Sequence, residues 1–376
     1  MYQRTMLANL LQYCFKGFAI ILIGPRQVGK TTLVKALANT LQKKHLYFNC
    51  DEPDVKRLFE TINLTNLTNI ITDADVIIID EAQRVENIGI AIKLLVDNFP
   101  NRQFIITGSS ALEIANNIFE PLTGRQLLFH LYPLTITEMY STTNVIETNR
   151  QIHWHLIYGC YPKLVMQKDL GEIILKNLVS DYLYKDVLAW KDIRKPDLLN
   201  KLLLLLALQI GNEISLNELA VKLKVSTHTV ETYIDLLEKC FVVFRLSAYS
   251  TNERKEVTKM KKIYFWDNGI RNAIIGSFIP VSNRTDVGAL WENFVISERL
   301  KYNSYNQTNV QSFFWRSKQQ QEIDYVEQVG EHLFGYECKW NAASKGKPTK
   351  AFGNLYPHAQ VAIINNENYH NFLLLP

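Results

Sequence analysis

Cysteine is scarce and scattered. Five residues in 376, Cys14, Cys50, Cys160, Cys240 and Cys338, stand too far apart for a metal-binding spacing and are odd in number. That excludes a disulfide-stapled scaffold or a zinc module built from sequence neighbours; a reducing compartment is expected, with the cytoplasm as the location. Long apolar runs are missing too. The run Phe18 to Ile23 is far shorter than the roughly 20 residues of a membrane helix and leads straight into a glycine loop, so it reads as a buried strand and no membrane partner is expected. Arg4 followed by Leu7, Leu10 and Leu11 has helical spacing without a small-residue cleavage site, which argues against a signal peptide. Charge of one sign is also lacking. A net charge of +4 permits contact with a polyanion such as DNA without requiring it, because nucleic-acid binding depends on clustered lysine and arginine. No internal repeat or low-complexity tract interrupts an ordinary globular composition, 47% hydrophobic and 21% charged, which excludes a fibrous or wholly disordered chain.

What is present begins with length. A chain of 376 residues exceeds the size at which one hydrophobic core stops growing, so several domains are expected. Short β-rich runs alternate with helical patterns at first: Ala19–Ile23, a helix from Thr31, Leu46–Asn49, Val76–Ile79 and Phe104–Thr107. That is parallel α/β architecture. After Glu138 helices take over, at Ile152–Tyr158, Ile173–Trp190 and Leu198–Leu208, as expected of a lid or connector. Ser215 and Glu218 have capping-box spacing, a second helix opens near Ser226 with Val230, Tyr233, Ile234 and Leu237 on one face, and Phe241–Leu246 reads as a strand. These features predict a winged helix-turn-helix. Its recognition segment offers one weak base reader, His228, while Glu231 opposes phosphate, so DNA and protein contact remain equal alternatives. The polar stretch Asn252–Lys262 reads as a linker or wing tip. Beyond it come Ile263–Trp266, a helix around Trp291–Lys301, Ser312–Trp315, Ile323–Val326, Leu333–Lys339, Gln360–Ile364 and Phe372–Leu375, a further α/β unit.

Gly24-Pro25-Arg26-Gln27-Val28-Gly29-Lys30-Thr31 matches the P-loop pattern in full, after an apolar strand and before a helix that includes Thr32. Its backbone amides curl around phosphate, Lys30 reaches the terminal phosphates, and Thr31 offers a hydroxyl to Mg²⁺; ATP and Mg²⁺ are the expected ligands. Val76–Ile79 runs into Asp80 and Glu81, the Walker B pair that completes the magnesium shell and polarises the attacking water. The next strand ends in Thr107, Ser109 and Ser110; Ser109 is favoured as the γ-phosphate sensor, against the simpler role of capping a helix near Ala111. Arg125 is the leading arginine finger, in its own site or in a neighbour's within a homo-oligomer, with Arg26 and Arg84 as rivals. Toward the end, Glu322-Ile323-Asp324 followed by Glu337-Cys338-Lys339 has the form of a D…ExK nuclease core. Strand alternation puts Glu337 and Lys339 on one face; Asp324 and Glu337 would hold Mg²⁺ while Lys339 activates water, although such alternation also marks plain solvated strands. Arg316, Lys318, Lys345, Lys347 and Lys350 are candidates for phosphate-backbone contact, or simply a solvated face.

The P-loop with Thr32, Ile79-Asp80-Glu81-Ala82-Gln83, Thr107-Gly108-Ser109-Ser110 and Gly124-Arg125 resemble the AAA-superfamily ATPases of bacteria and archaea that carry a C-terminal domain of unknown function. Tyr182–Val187, Phe265–Asn272 and Gly288–Val295 are similar to the same family. The resemblance implies a P-loop AAA core over 1–140, a helical connector over 141–199, a winged helix over 200–257 and a restriction-endonuclease-like domain over 258–376. It also implies Glu292 as a further metal ligand. Two functions follow as expectations: an ATPase driving a metal-dependent nuclease on DNA, or an ATP-controlled switch whose last domain only grips nucleic acid or protein.

Overall fold

The structure is a computed structural model that describes residues 2–374 apart from 61–62, 110–119, 141–144, 181–195, 251–260 and 343–349. Ser110, the helix expected from Ala111, Tyr182–Val187, most of Asn252–Lys262, Lys345, Lys347 and Leu375 lie outside the described residues. The chain divides into two compact units: residues 1–133 with 239–241, and residues 134–238 with 242–376.

The first unit is built on five parallel strands, β1 (Ala19–Ile23), β2 (His45–Asn49), β3 (Val76–Asp80), β4 (Gln103–Gly108) and β5 (Gln126–His130), in the order β2-β3-β4-β1-β5. All side chains of β1, β3 and β4 are buried. Continuous apolar runs such as Ala-Ile-Ile-Leu-Ile are what central parallel strands require when both faces are covered. Four strands were expected; β5 is the addition, a half-buried edge strand. Because all five run the same way, the ends of β1, β3 and β4 open on one edge of the sheet, where α/β folds build sites. The exit from β1 passes so close to the next segment that a Cβ on Gly24 would stand 2.0 Å from the Leu131 carbonyl oxygen. Gly29, at φ +94°, then turns the loop into the helix Lys30–Leu41.

The second unit carries one seven-stranded mixed sheet. Its strands are β6 (Glu213–Ile214), β7 (Val243–Ala248), β8 (Lys261–Phe265), β9 (Gln311–Arg316), β10 (Glu322–Val329), β11 (His332–Cys338) and β12 (Gln360–Ile364), ordered β12-β11-β10-β9-β7-β8-β6. β7 thus sits between β8 and β9, parallel to β9 and antiparallel to β8, so the sheet runs through the boundary expected at 257/258. The helices Leu216–Leu223 and Thr227–Lys239 precede β7, joined by a turn in which Lys224 takes a left-handed conformation. Half of the expected capping box forms: Ser215 Oγ accepts from Glu218 N, while the Glu218 carboxylate turns to Lys222. Phe372 lies in the helix Tyr369–Leu374.

The long helix Val287–Tyr305 is anchored by polar side chains. Asn293 accepts from Phe265 N (2.7 Å) and donates to Phe265 O and Asn268 Oδ1, and Trp291 Nε1 donates to Ile364 O on β12. Asp267 caps the helix Asn268–Ile275 and accepts from Cys160 N (2.7 Å), while Asn272 donates to the carbonyls of Leu156 and Ile157. The stretch Phe265–Asn272 is therefore a lock between segments far apart in sequence, and satisfied buried amides of this kind specify a unique packing. Among the described residues no helix is long and apolar enough to cross a membrane.

Candidate functional site

In the first unit, β1, β3 and β4 deliver their ends to one place. Lys30, 5% exposed, curls back so that its ammonium donates to the carbonyls of Gly24 (2.8 Å) and Pro25 (2.9 Å) inside the loop. Asp80, 2% exposed, ends β3. Its carboxylate accepts from the Thr31 hydroxyl at 2.7 Å, from the Tyr47 hydroxyl at 2.5 Å and from Thr107 Oγ1. A buried carboxylate must be satisfied, and three hydroxyls do so here. Burial, followed by the Asp80 contact, drives the Tyr47 hydroxyl far above its usual range, so it stays a donor. Burial first, then Asp80, pushes the Cys50 thiol up to about 12, so it stays protonated at neutral pH.

Glu81, at φ +54°, accepts from Gln83 Nε2 at 2.6 Å, and the same amide donates to Ser109 Oγ at 3.0 Å. Thr107, the rival sensor, is engaged with Asp80 and with Glu81 N. Arg125 stands elsewhere. It precedes β5, its carbonyl accepts from Ala19 N at the start of β1, and its guanidinium pairs with Asp97. The loop leaves the other end of β1, five residues on, about 16 Å away at strand rise. Arg84 pairs with Asp51 at 3.0 Å. Arg4, Tyr47 and Gln83 are additions to the expected set. Arg4 Nη1 donates to Val28 O (2.7 Å) and Nη2 to Tyr132 O (2.6 Å), fastening the loop from the amino-terminal side. A hydroxyl in contact with a nearly dehydrated carboxylate is a hard-oxygen donor set that fits Mg²⁺.

In the second unit, Glu292, Glu322 and Asp324 each offer a carboxylate oxygen, all within 4.8 Å of one another. Glu322 and Asp324 alternate on β10 and so share a face. The register Tyr325↔Tyr336 sets Asp324 across from Glu337, and Asp324 accepts from Cys338 N at 2.8 Å. Glu337 lies 3.7 Å from Lys339. Among the described residues the converging trio is Glu292, Glu322 and Asp324; it includes two of the expected ligands, Glu292 and Asp324. Against two of its members lies Lys262, 1% exposed, which was expected in a linker or wing tip. Its Nζ is 3.0 Å from Glu292 Oε1 and in contact with Glu322. Burial alone would lower this ammonium, but Glu292 and Glu322 outweigh it and raise it. Tyr264, two residues on along β8, donates to Glu292 Oε1 at 2.6 Å, and Arg316 Nε is 2.9 Å from Glu322 Oε2. Burial, then Glu292, pushes the Asp324 carboxyl up to about 7. Carboxylates suit a hard divalent ion, and the Lys262 ammonium stands in as a cation, so this donor set fits a metal.

Comparison with known proteins bears on each part. Residues 16–140 match a family described as an AAA domain; residues 149–279 and 287–372 match two families described as Domain of unknown function (DUF8612) and Domain of unknown function (DUF4143). The first match supports an AAA-type P-loop ATPase. An uncharacterized protein of Mycobacterium tuberculosis is 28% identical over 345 residues, 90% of this chain and 74% of its own length. One from Haemophilus influenzae is 26% identical over 73% of each chain, and one from Methanocaldococcus jannaschii is 27% identical over 73% of this chain and 66% of its own. The crystal structure of Pif1 helicase from Candida albicans aligns at TM-score 0.27 with 14% identity, covering 40% of this chain and 44% of that one, a likeness too slight to bear on function.

Proposed function

We propose that this chain binds and hydrolyses ATP at the P-loop and couples that cycle to a nuclease-like C-terminal centre acting on DNA. The observation that carries the reading is the 2.7 Å contact between the Thr31 hydroxyl and Asp80, which joins the phosphate loop to the Walker B strand. In this reading the loop amides and Lys30 take the phosphates, and Lys30 exchanges the Gly24 and Pro25 carbonyls for phosphate oxygens. Thr31 and Asp80 would hold Mg²⁺, which when bound offsets charge on the transferred phosphoryl group. Glu81 takes the proton of the attacking water once Gln83 releases it, and Ser109, at the other end of the same amide, senses the γ-phosphate. Arg125, remote from this chain's own loop, would serve a neighbour's site, which requires a homo-oligomer.

The helix pair before β7 would form a winged helix, and 258–376 a restriction-endonuclease-like domain whose sheet is merged with it. Glu292, Glu322 and Asp324 would hold a divalent metal there, with Glu337 and Lys339 beside them. Such a metal supplies Lewis acidity to a phosphodiester. The second reading, a switch that grips DNA or protein without cutting, is favoured by one observation: Lys262 already neutralises the carboxylates.

Both are tested by assaying ATP turnover and cleavage of single-stranded, duplex and branched DNA with Mg²⁺ or Mn²⁺. Lys30→Ala should abolish turnover, and unchanged turnover would refute the nucleotide site. Asp324→Ala should abolish cleavage with ATPase intact; absence of cleavage by the unaltered protein on every DNA form selects the switch.

A further inference from the structure

Lys262 is the cation of its own acid cluster. It lies at the start of β8, almost fully buried, with its ammonium between Glu292 of the helix Val287–Tyr305 and Glu322 of β10, and 5.5 Å from the centre of the Phe314 ring. Around it run alternating charges: Glu213 to Arg316 (3.4 Å), Arg316 to Glu322 (2.9 Å), Glu322 to Lys262, and Lys262 to Glu292. Three acids drawn to within 4.8 Å repel one another unless a cation stands among them. An ammonium and a divalent ion held by the same carboxylates repel each other, so each weakens the other's hold.

We propose that Lys262 is a built-in competitor for the metal position formed by Glu292, Glu322 and Asp324, so that a divalent ion enters only as Lys262 withdraws. This rests on the reading of that trio as a metal site. Lys262 is a positioning and gating residue. Its ammonium is carried on a flexible four-carbon stem from the second position of β8, so a change of side-chain conformation takes it off the carboxylates while β8 stays paired with β7.

The test is calorimetric titration of Mn²⁺ into the nucleotide-free full chain, with melting temperature as a second readout. Lys262→Met should bind Mn²⁺ at least about tenfold more tightly than the unaltered protein and gain more thermal stability from it, and adding Glu322→Gln should remove both gains. Equal, Glu322-dependent affinity with and without Lys262 would leave the metal site standing and overturn the competitor. No binding by either protein would overturn the metal site and the competitor with it. If Lys262→Met is unfolded, refolding by Mn²⁺ supports the proposal, and failure to refold in saturating Mn²⁺, with Lys262→Gln folded and Mn²⁺-blind, overturns it.

Discussion

His155 illustrates how much one buried ring sets. Its Nδ1 lies 3.2 Å from the Gly159 carbonyl, and its Nε2 is buried with no hydrogen-bond partner among the described residues. Burial lowers its pKa from 6.5 to about 4. A base depressed on folding binds its proton more readily in the unfolded chain, so stability is full above pH 6.5 and falls as pH drops toward 4. The loss on that limb should be about 3 kcal/mol. Urea unfolding at pH 7 and pH 4.5, compared with His155→Gln, isolates it; identical acid slopes in both proteins would assign the loss elsewhere. At this scale, what could be read in advance followed chain proximity. Lys30, Thr31, Asp80 and Glu81 announce themselves because a glycine loop and an apolar strand ending in acids are local patterns. Tyr47 and Arg4 reach Asp80 and Val28 through the fold, 33 and 24 positions away, and no spacing marks such contacts. Lys262 was hidden among polar neighbours; only its alternation with Tyr264, the same signal that pairs Glu322 with Asp324, hinted at a shared face.

Elements were legible where they are apolar throughout or strictly alternating. β1, β3 and β4 qualify because buried parallel strands are continuous hydrophobic runs. β5 escaped because Gln-Leu-Leu-Phe-His at a half-exposed edge follows neither pattern. The Phe265–Asn272 stretch stood out by resemblance, but its job was not legible: it ties the helix Asn268–Ile275 to the segment around Tyr158. There Gly269 is pressed against backbone, since an added Cβ would lie 2.2 Å from the Tyr158 carbonyl oxygen. Gly269→Ala should therefore cost at least about 2 kcal/mol, at the upper end of overpacking, because a carbonyl cannot rotate aside as a side chain can. Chemical denaturation of the full chain checks this, and a midpoint unchanged from that of the unaltered protein would contradict so close an approach.

At the scale of the whole second unit, strand order matters more than chain order. A fragment covering 258–376 keeps β8 and β9 but lacks β7, which lies between them and bonds to both. β6 is missing as well, so β8 loses both its neighbours and β9 loses one; three unsatisfied strand edges result, and exposed edges template aggregation. Such a fragment should be insoluble or elute as large particles in size-exclusion chromatography, whereas one covering 134–376 should elute at the size of a compact species; a monodisperse short fragment would contradict the sheet order. The ion pairs of Arg245 give this arrangement a mechanical side. Rooted in β7, that residue grips Glu238 and Asp235 of the preceding helix, with Arg245 Nε 2.7 Å from Glu238 Oε2. A pull on that helix would therefore reach first the strand that is paired with β8, which carries Lys262, on one side and with β9 on the other.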